Sequence, residues 1–117
     1  MTWTTRPRSE IGPLAAIVAG RGPNVILIHG VGLRAEAWGA QIDALSDDFR
    51  VIAVDMPGHS ESAGLLGAPN LRSYSDTIAE HLDEQCVVVG HSFGAMIALD
   101  LAISHPERVA GVATLTA

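Results

Sequence analysis

Four apolar runs of strand length recur along the chain, NVILIHG (24–30), RVIAVDMPG (50–58), CVVVG (86–90) and VAGVATLT (109–116), and stretches of helical period separate them. A strand that is apolar at consecutive positions, rather than at every second one, has two faces to bury. Between the runs, Ala37, Trp38, Ile42 and Leu45 fall at helical spacing, as do Leu71, Tyr74, Ile78, Ala79 and Leu82 over 71–84. Residues 93–104 form a third helix, apolar all round, with Met96, Ile97 and Leu99 read as core. The alternation predicts an α/β fold in three layers, a mostly parallel sheet with helices on both faces. Residues 11–19 add an antiparallel edge strand. No repeat, low-complexity tract or interdomain linker breaks the pattern, and 117 residues with 48% hydrophobic content fit a single core.

In parallel sheets ligands collect beyond the carboxyl ends of the strands. Those ends carry His29-Gly30-Val31-Gly32, Asp55-Met56-Pro57-Gly58-His59-Ser60 and Gly90-His91-Ser92-Phe93-Gly94. Gly-x-Ser-x-Gly fixes only three positions and means little alone. Here it follows an apolar strand directly and opens an apolar helix, the context of a nucleophile elbow. A nucleophilic serine has to project from a sharp turn, glycines relieve crowding where backbones approach, and a helix N-terminus offers free N–H groups to developing negative charge. Ser92 meets each requirement.

Charge removes several alternatives. Seven basic against thirteen acidic residues give a formal charge of −6. All seven basic residues are scattered arginines, which excludes a nucleic-acid footprint and an anionic-membrane patch. The N-terminal MTWTTRPRSE lacks a signal-peptide core and no run approaches the ~20 residues of a membrane helix, so a cytoplasmic location is expected. The single cysteine, Cys86, sits in an apolar run and reads as a buried structural thiol; no metal site is expected.

The motifs together resemble the α/β-hydrolases, in particular their small soluble esterase, lactonase and C–C hydrolase members. GPNVILIHGVG is similar to the strand and oxyanion loop, FRVIAVDMPGHSES to the Asp-x-x-Gly-x-x-x-Ser strand end, VVVGHSFGAMIAL to the elbow, and HPERVAGVATLTA to the segment closing the elbow helix and forming the next strand. The four stand in the family's order from about Gly22 onward. The resemblance implies Ser92 as nucleophile, the backbone N–H groups of Phe93 and Val31 as oxyanion hole, and His29, Gly30, Gly90, His91 and Gly94 as motif support. It implies structural turn roles for Asp55 and His59, no cofactor, and a small ester or lactone as substrate. Trp38 is expected in the core or a pocket wall. A serine nucleophile disfavours the dehalogenase and epoxide hydrolase members, which use a carboxylate there.

The family places an acid and then a histidine after the serine. Only Asp100, His105 and Glu107 follow Ser92 with suitable chemistry. At 1.5 Å per helical residue Asp100 lies about 12 Å along the elbow helix and His105 about 20 Å, out of reach of Ser92. Residues 1–117 are therefore expected to be the N-terminal part of a single α/β-hydrolase domain, without its catalytic acid and base. The other reading is a non-catalytic half-protein that pairs through the open edge of its last strand with a complementing C-terminal half or a second copy.

Overall fold

The computed structural model describes residues 4–12, 14–56, 71–82 and 84–115. Six strands form one sheet: β1 (Ser9–Ile11), β2 (Leu14–Ala19), β3 (Asn24–Ile28), β4 (Arg50–Val54), β5 (Cys86–His91) and β6 (Val109–Leu115), in the order β1-β2-β4-β3-β5-β6. β3 to β6 are mutually parallel, and β2 runs antiparallel to β4 with β1 antiparallel outside it. The sheet is thus α/β and mostly parallel, as the apolar runs require. One detail differs from expectation: 11–19 is not one edge strand but is divided at Gly12, where φ is +57°, so that Ile11 ends the outer strand β1 and 14–19 is the second arm of the hairpin, paired on both sides.

Among the described residues three helices cover the sheet: α1 (Gly39–Leu45), entered through a 3₁₀ turn at Ala35–Trp38, α2 (Leu71–Ala79) and α3 (Phe93–Ser104). Alternation along the strands sorts the core into two layers. On one face Ile26, Ile28, Ile52, Val54 and Val88 meet Ile78 and Leu82 from the α2 segment and Ile97, Ala98 and Leu101 of α3. On the other, Val25, Leu27, Val51 and Ala53 meet Ala35, Trp38 and Ile42. At about 25 cal/mol per Å² of apolar area, this two-sided burial is the main stabilising term.

α2 stops at Ala79, short of the expected 84, because the next turn tightens: His81 N–H donates to Ile78 O and Leu82 N–H to Ala79 O, three residues back instead of four. Leu82 still enters the core. α3 also departs from its reading. Ile97 is buried, but Met96, Leu99 and Ile103 are at least half exposed and share one side of the helix. An all-apolar helix carries no pattern to tell its packed side from its open one, so these residues could not be separated in the sequence. Cys86 is buried as expected; its thiol donates to Arg108 O at 3.5 Å, and burial pushes it up to about 11.

Candidate active site

Register brings the strand ends together. Ile28 stands opposite Val54 on one side and Gly90 on the other, so the segments after β3, β4 and β5 emerge at one level. The chain leaves β5 at Ser92 and enters α3 at Phe93. Ser92 has φ +57° and ψ −119°, the single positive φ outside glycine among the described residues, and its side chain is exposed. Such backbone costs about 1–3 kcal/mol and persists only where the surroundings enforce it. Here Ser92 N–H donates to Leu115 O (2.9 Å) and Ser92 O accepts from Ala95 N–H (2.9 Å), which pins both sides of the turn.

The elbow glycines are required by contact. A Cβ on Gly90 would lie 2.2 Å from Gly94 O, and one on Gly94 would lie 2.2 Å from Ile28 O and 2.7 Å from His29 O. α3 therefore starts directly against the end of β3. The loop after β3 reaches the serine as well, since a Cβ on Gly30 would stand 3.3 Å from Ser92 Cβ. Gly30 O accepts from Leu33 N–H (3.2 Å), closing a turn with Val31 and Gly32 at its centre. In such a turn the N–H of the first central residue, Val31, is not used by the closing bond. Phe93 heads α3, where N–H groups lack intrahelical acceptors. Both lie on segments that meet at Ser92.

His29 is fully buried. The Met56 N–H donates to its Nε2 (2.9 Å), so Nδ1 carries the ring proton and donates to Gly30 O (2.7 Å). With both nitrogens engaged, His29 ties the loop after β3 to the end of β4. His91 packs its ring edge-on against Trp38, which is wholly buried.

Asp55 is also fully buried and accepts from Ala35 N–H (2.8 Å) and from the Arg8 guanidinium (2.5 Å). Arg8 bonds Glu36 in the same network, and Arg34 reaches Glu36 at 2.8 Å. Burial raises the Glu36 carboxyl, but the hydrogen bond from Arg8, aided by Arg34, outweighs it and holds the group below the ordinary carboxylate range. The sequence gives no sign of this network, because Arg8 lies 28 and 47 residues from its partners. His59 and the rest of the Asp55-to-Ser60 motif beyond Met56 lie outside the described residues.

Asp100 and His105 are engaged with α2. Asp100 takes hydrogen bonds from Arg72 (3.0 Å), Ser75 and Ser104, and the Arg72 bond holds its carboxyl low. His105 Nε2 lies 2.7 Å from Asp76. A crevice between Ile11, Asn24, Arg50, His81 and Cys86, with room for about 20 Å³, opens at the opposite, amino ends of the strands. Among the described residues no helix is long and apolar enough to cross a membrane.

Comparison with known proteins agrees with this geometry. The profile of the alpha/beta hydrolase fold family matches residues 23–117. A pimeloyl-[acyl-carrier protein] methyl ester esterase of Yersinia enterocolitica is 36% identical over 100 residues, covering 85% of this chain and 38% of the esterase. Among solved structures, an E-2-(acetamidomethylene)succinate hydrolase superposes with a TM-score of 0.83 at 30% identity, over 91% of this chain and 42% of that one. The N-acyl homoserine lactone degrading enzyme Est816 gives 0.80 at 26% identity, over 94% and 45%. The chain thus spans less than half the length of these relatives. With the strand order, the serine at the β5–α3 turn and a family match running through both, the chain belongs to the alpha/beta hydrolase fold family.

Proposed function

We propose that Ser92 is the nucleophile of a hydrolase acting on carboxylic esters or lactones, in the cytoplasm and without a cofactor, and that residues 1–117 are the N-terminal part of its single catalytic domain. The observation that carries this reading is the positive-φ Ser92 backbone between β5 and α3 with the loop at Gly30 packed against it; in this reading the Val31 and Phe93 N–H groups serve the same substrate oxygen. In the reaction Ser92 Oγ attacks the carbonyl carbon while a histidine base takes its proton. The two N–H groups hold the oxyanion, the alcohol leaves with that proton, and water releases the acid from the acyl-enzyme. The histidine and its acid partner are supplied from outside these 117 residues, consistent with the engagement of Asp100 and His105 elsewhere. The activities of the esterase and lactone-degrading relatives support the substrate class.

Ser92→Ala in the complete protein is expected to abolish hydrolysis of activated esters and lactones; full retained activity overturns the assignment. The 117-residue chain alone is expected to show negligible turnover, since loss of a triad base costs on the order of 10⁶-fold in kcat.

A second reading, a half-protein completed by a partner chain or a second copy, draws on two surfaces. Among the described residues β6 pairs only with β5, and Met96, Leu99 and Ile103 are exposed on one side of α3. A chain that is monodisperse on its own and unfolds cooperatively favours this reading; aggregation favours the first.

A further inference from the structure

The loop after β3, residues 30–34, is tied at both ends to consecutive residues just beyond β4. At its start His29 takes the Met56 N–H on Nε2 (2.9 Å) and donates from Nδ1 to Gly30 O (2.7 Å). At its far end the Ala35 N–H donates to Asp55 Oδ1 (2.8 Å). Between them the bond from Leu33 N–H to Gly30 O closes the turn that contains Val31. The two ties differ in kind. The first needs no charge, whereas the second hangs on a carboxylate without solvent exposure, which is costly to hold there unless a cation lies against it.

That cation is Arg8, the residue before β1. Its guanidinium meets every oxygen of two carboxylates. Nη1 and Nη2 donate to Asp55 at 2.5 and 3.3 Å, Nε donates to Glu36 Oε2 at 2.8 Å, and Nη2 also bonds Glu36 Oε1. Glu36 follows Ala35 in the chain, so Arg8 grips one short stretch of backbone twice, through the acceptor of the Ala35 N–H and through the Glu36 side chain. The chain before Arg8 runs along the same turn, with Thr4 N–H on Glu36 O (3.2 Å) and Arg6 on Asp43 of α1 (3.0 Å). Exposure decides which contact matters. The Arg6 and Asp43 side chains are 39% and 67% exposed, where solvent screens an ion pair, but Arg8 and Glu36 are 16% and 15% exposed and Asp55 not at all.

We propose that Arg8 is a positioning residue: by clamping Asp55 and Glu36 it sets the far end of the loop that carries the Val31 N–H. The effect on turnover rests on Ser92 being the nucleophile and Val31 an oxyanion donor; the clamp on the loop does not. An N–H aimed at an oxyanion acts on the transition state more than on the bound ester. A displaced Val31 therefore lowers kcat and leaves KM nearly alone. Lysine cannot take over the whole role, because one compact ammonium replaces a planar fork that reaches both carboxylates at once.

The test uses the complete protein, with backbone ¹H–¹⁵N NMR and steady-state kinetics on p-nitrophenyl acetate. In the natural sequence the Ala35 amide is expected to be protected from hydrogen exchange like the amides of β3. In Arg8→Met the order parameters of the Val31, Gly32 and Leu33 amides are expected to fall from about 0.85 toward 0.6, while those of α2 hold. With them kcat falls about tenfold and KM stays within about twofold. Arg8→Lys shows the same changes at smaller size and is the variant read where Arg8→Met does not fold. An Ala35 amide that exchanges freely in the natural sequence overturns the clamp, whatever the variants do. A folded variant whose loop amides stay ordered also overturns it, since Arg8 is then a general stabiliser. Loop amides that loosen with kcat intact overturn the positioning role. Should Ser92→Ala keep full activity, the nucleophile reading fails on its own, and the amide data still decide whether Arg8 holds the loop.

Discussion

Gly94 packs beneath Ile28 so closely that a Cβ on it would lie 2.2 Å from the Ile28 carbonyl oxygen. The oxygen belongs to the backbone at the end of the central β3, and the added Cβ would be fixed directly to the backbone in the first turn of α3, so neither yields cheaply. Gly94→Ala is expected to destabilise the chain by about 3 kcal/mol or more. Urea unfolding checks this, and a loss below about 1 kcal/mol means that α3 can slide away from the sheet.

Ser92 is strained for the sake of its position. Replacing it with glycine removes the positive-φ cost of about 1–3 kcal/mol and gives back part of that through greater unfolded-state freedom. Ser92→Gly is therefore expected to raise stability by about 1 kcal/mol, and Ser92→Ala to leave it nearly unchanged. Equal unfolding midpoints for the Gly and Ala variants contradict the strain.

Arg8 is the partner of a carboxylate with no solvent exposure, Asp55. Truncating one member of a buried pair leaves the other uncompensated and costs about 3–5 kcal/mol. Arg8→Met is expected to fall in that range. Adding Asp55→Asn to it removes the stranded charge and should recover part of the loss, as a double-mutant cycle read from thermal or urea unfolding will report.

Cys86 sets an alkaline limit. Its thiol is raised to about 11 in the folded chain from an ordinary value near 9. A raised value means that the contribution is complete below about 9 and is lost as pH climbs toward about 11, because the unfolded thiol ionises first. The urea midpoint of the natural sequence is expected to fall more steeply between pH 8.5 and pH 10.5, on the order of the unfolded thiol's titration range, than that of Cys86→Ala. Parallel slopes contradict the burial argument.

The strands and the tight turn at Ser92 were legible in the sequence because consecutive apolar residues and close glycines follow from geometry that has few alternatives. Asn24–Ile28, Arg50–Val54 and Cys86–His91 lie within or one residue beyond the runs read as strands. The hairpin split carried a signal too, the Gly12-Pro13 pair that marks a turn. What stayed hidden depends on contacts across long loops. Nothing local tells that Arg8 crosses to Asp55 and Glu36, that Met56 N–H selects the tautomer of His29, or that Met96 and Leu99 lie on the open side of a helix apolar all round.

The most direct measurement on the central claim is labelling of the complete protein from its natural source with a fluorophosphonate, followed by mass spectrometry of the peptide that spans the elbow. The expected result is one phosphonyl adduct on Ser92 that forms in step with loss of esterase activity and is absent from Ser92→Ala. Loss of activity with the adduct on another residue, or full activity with Ser92 replaced, contradicts the assignment of Ser92 as nucleophile.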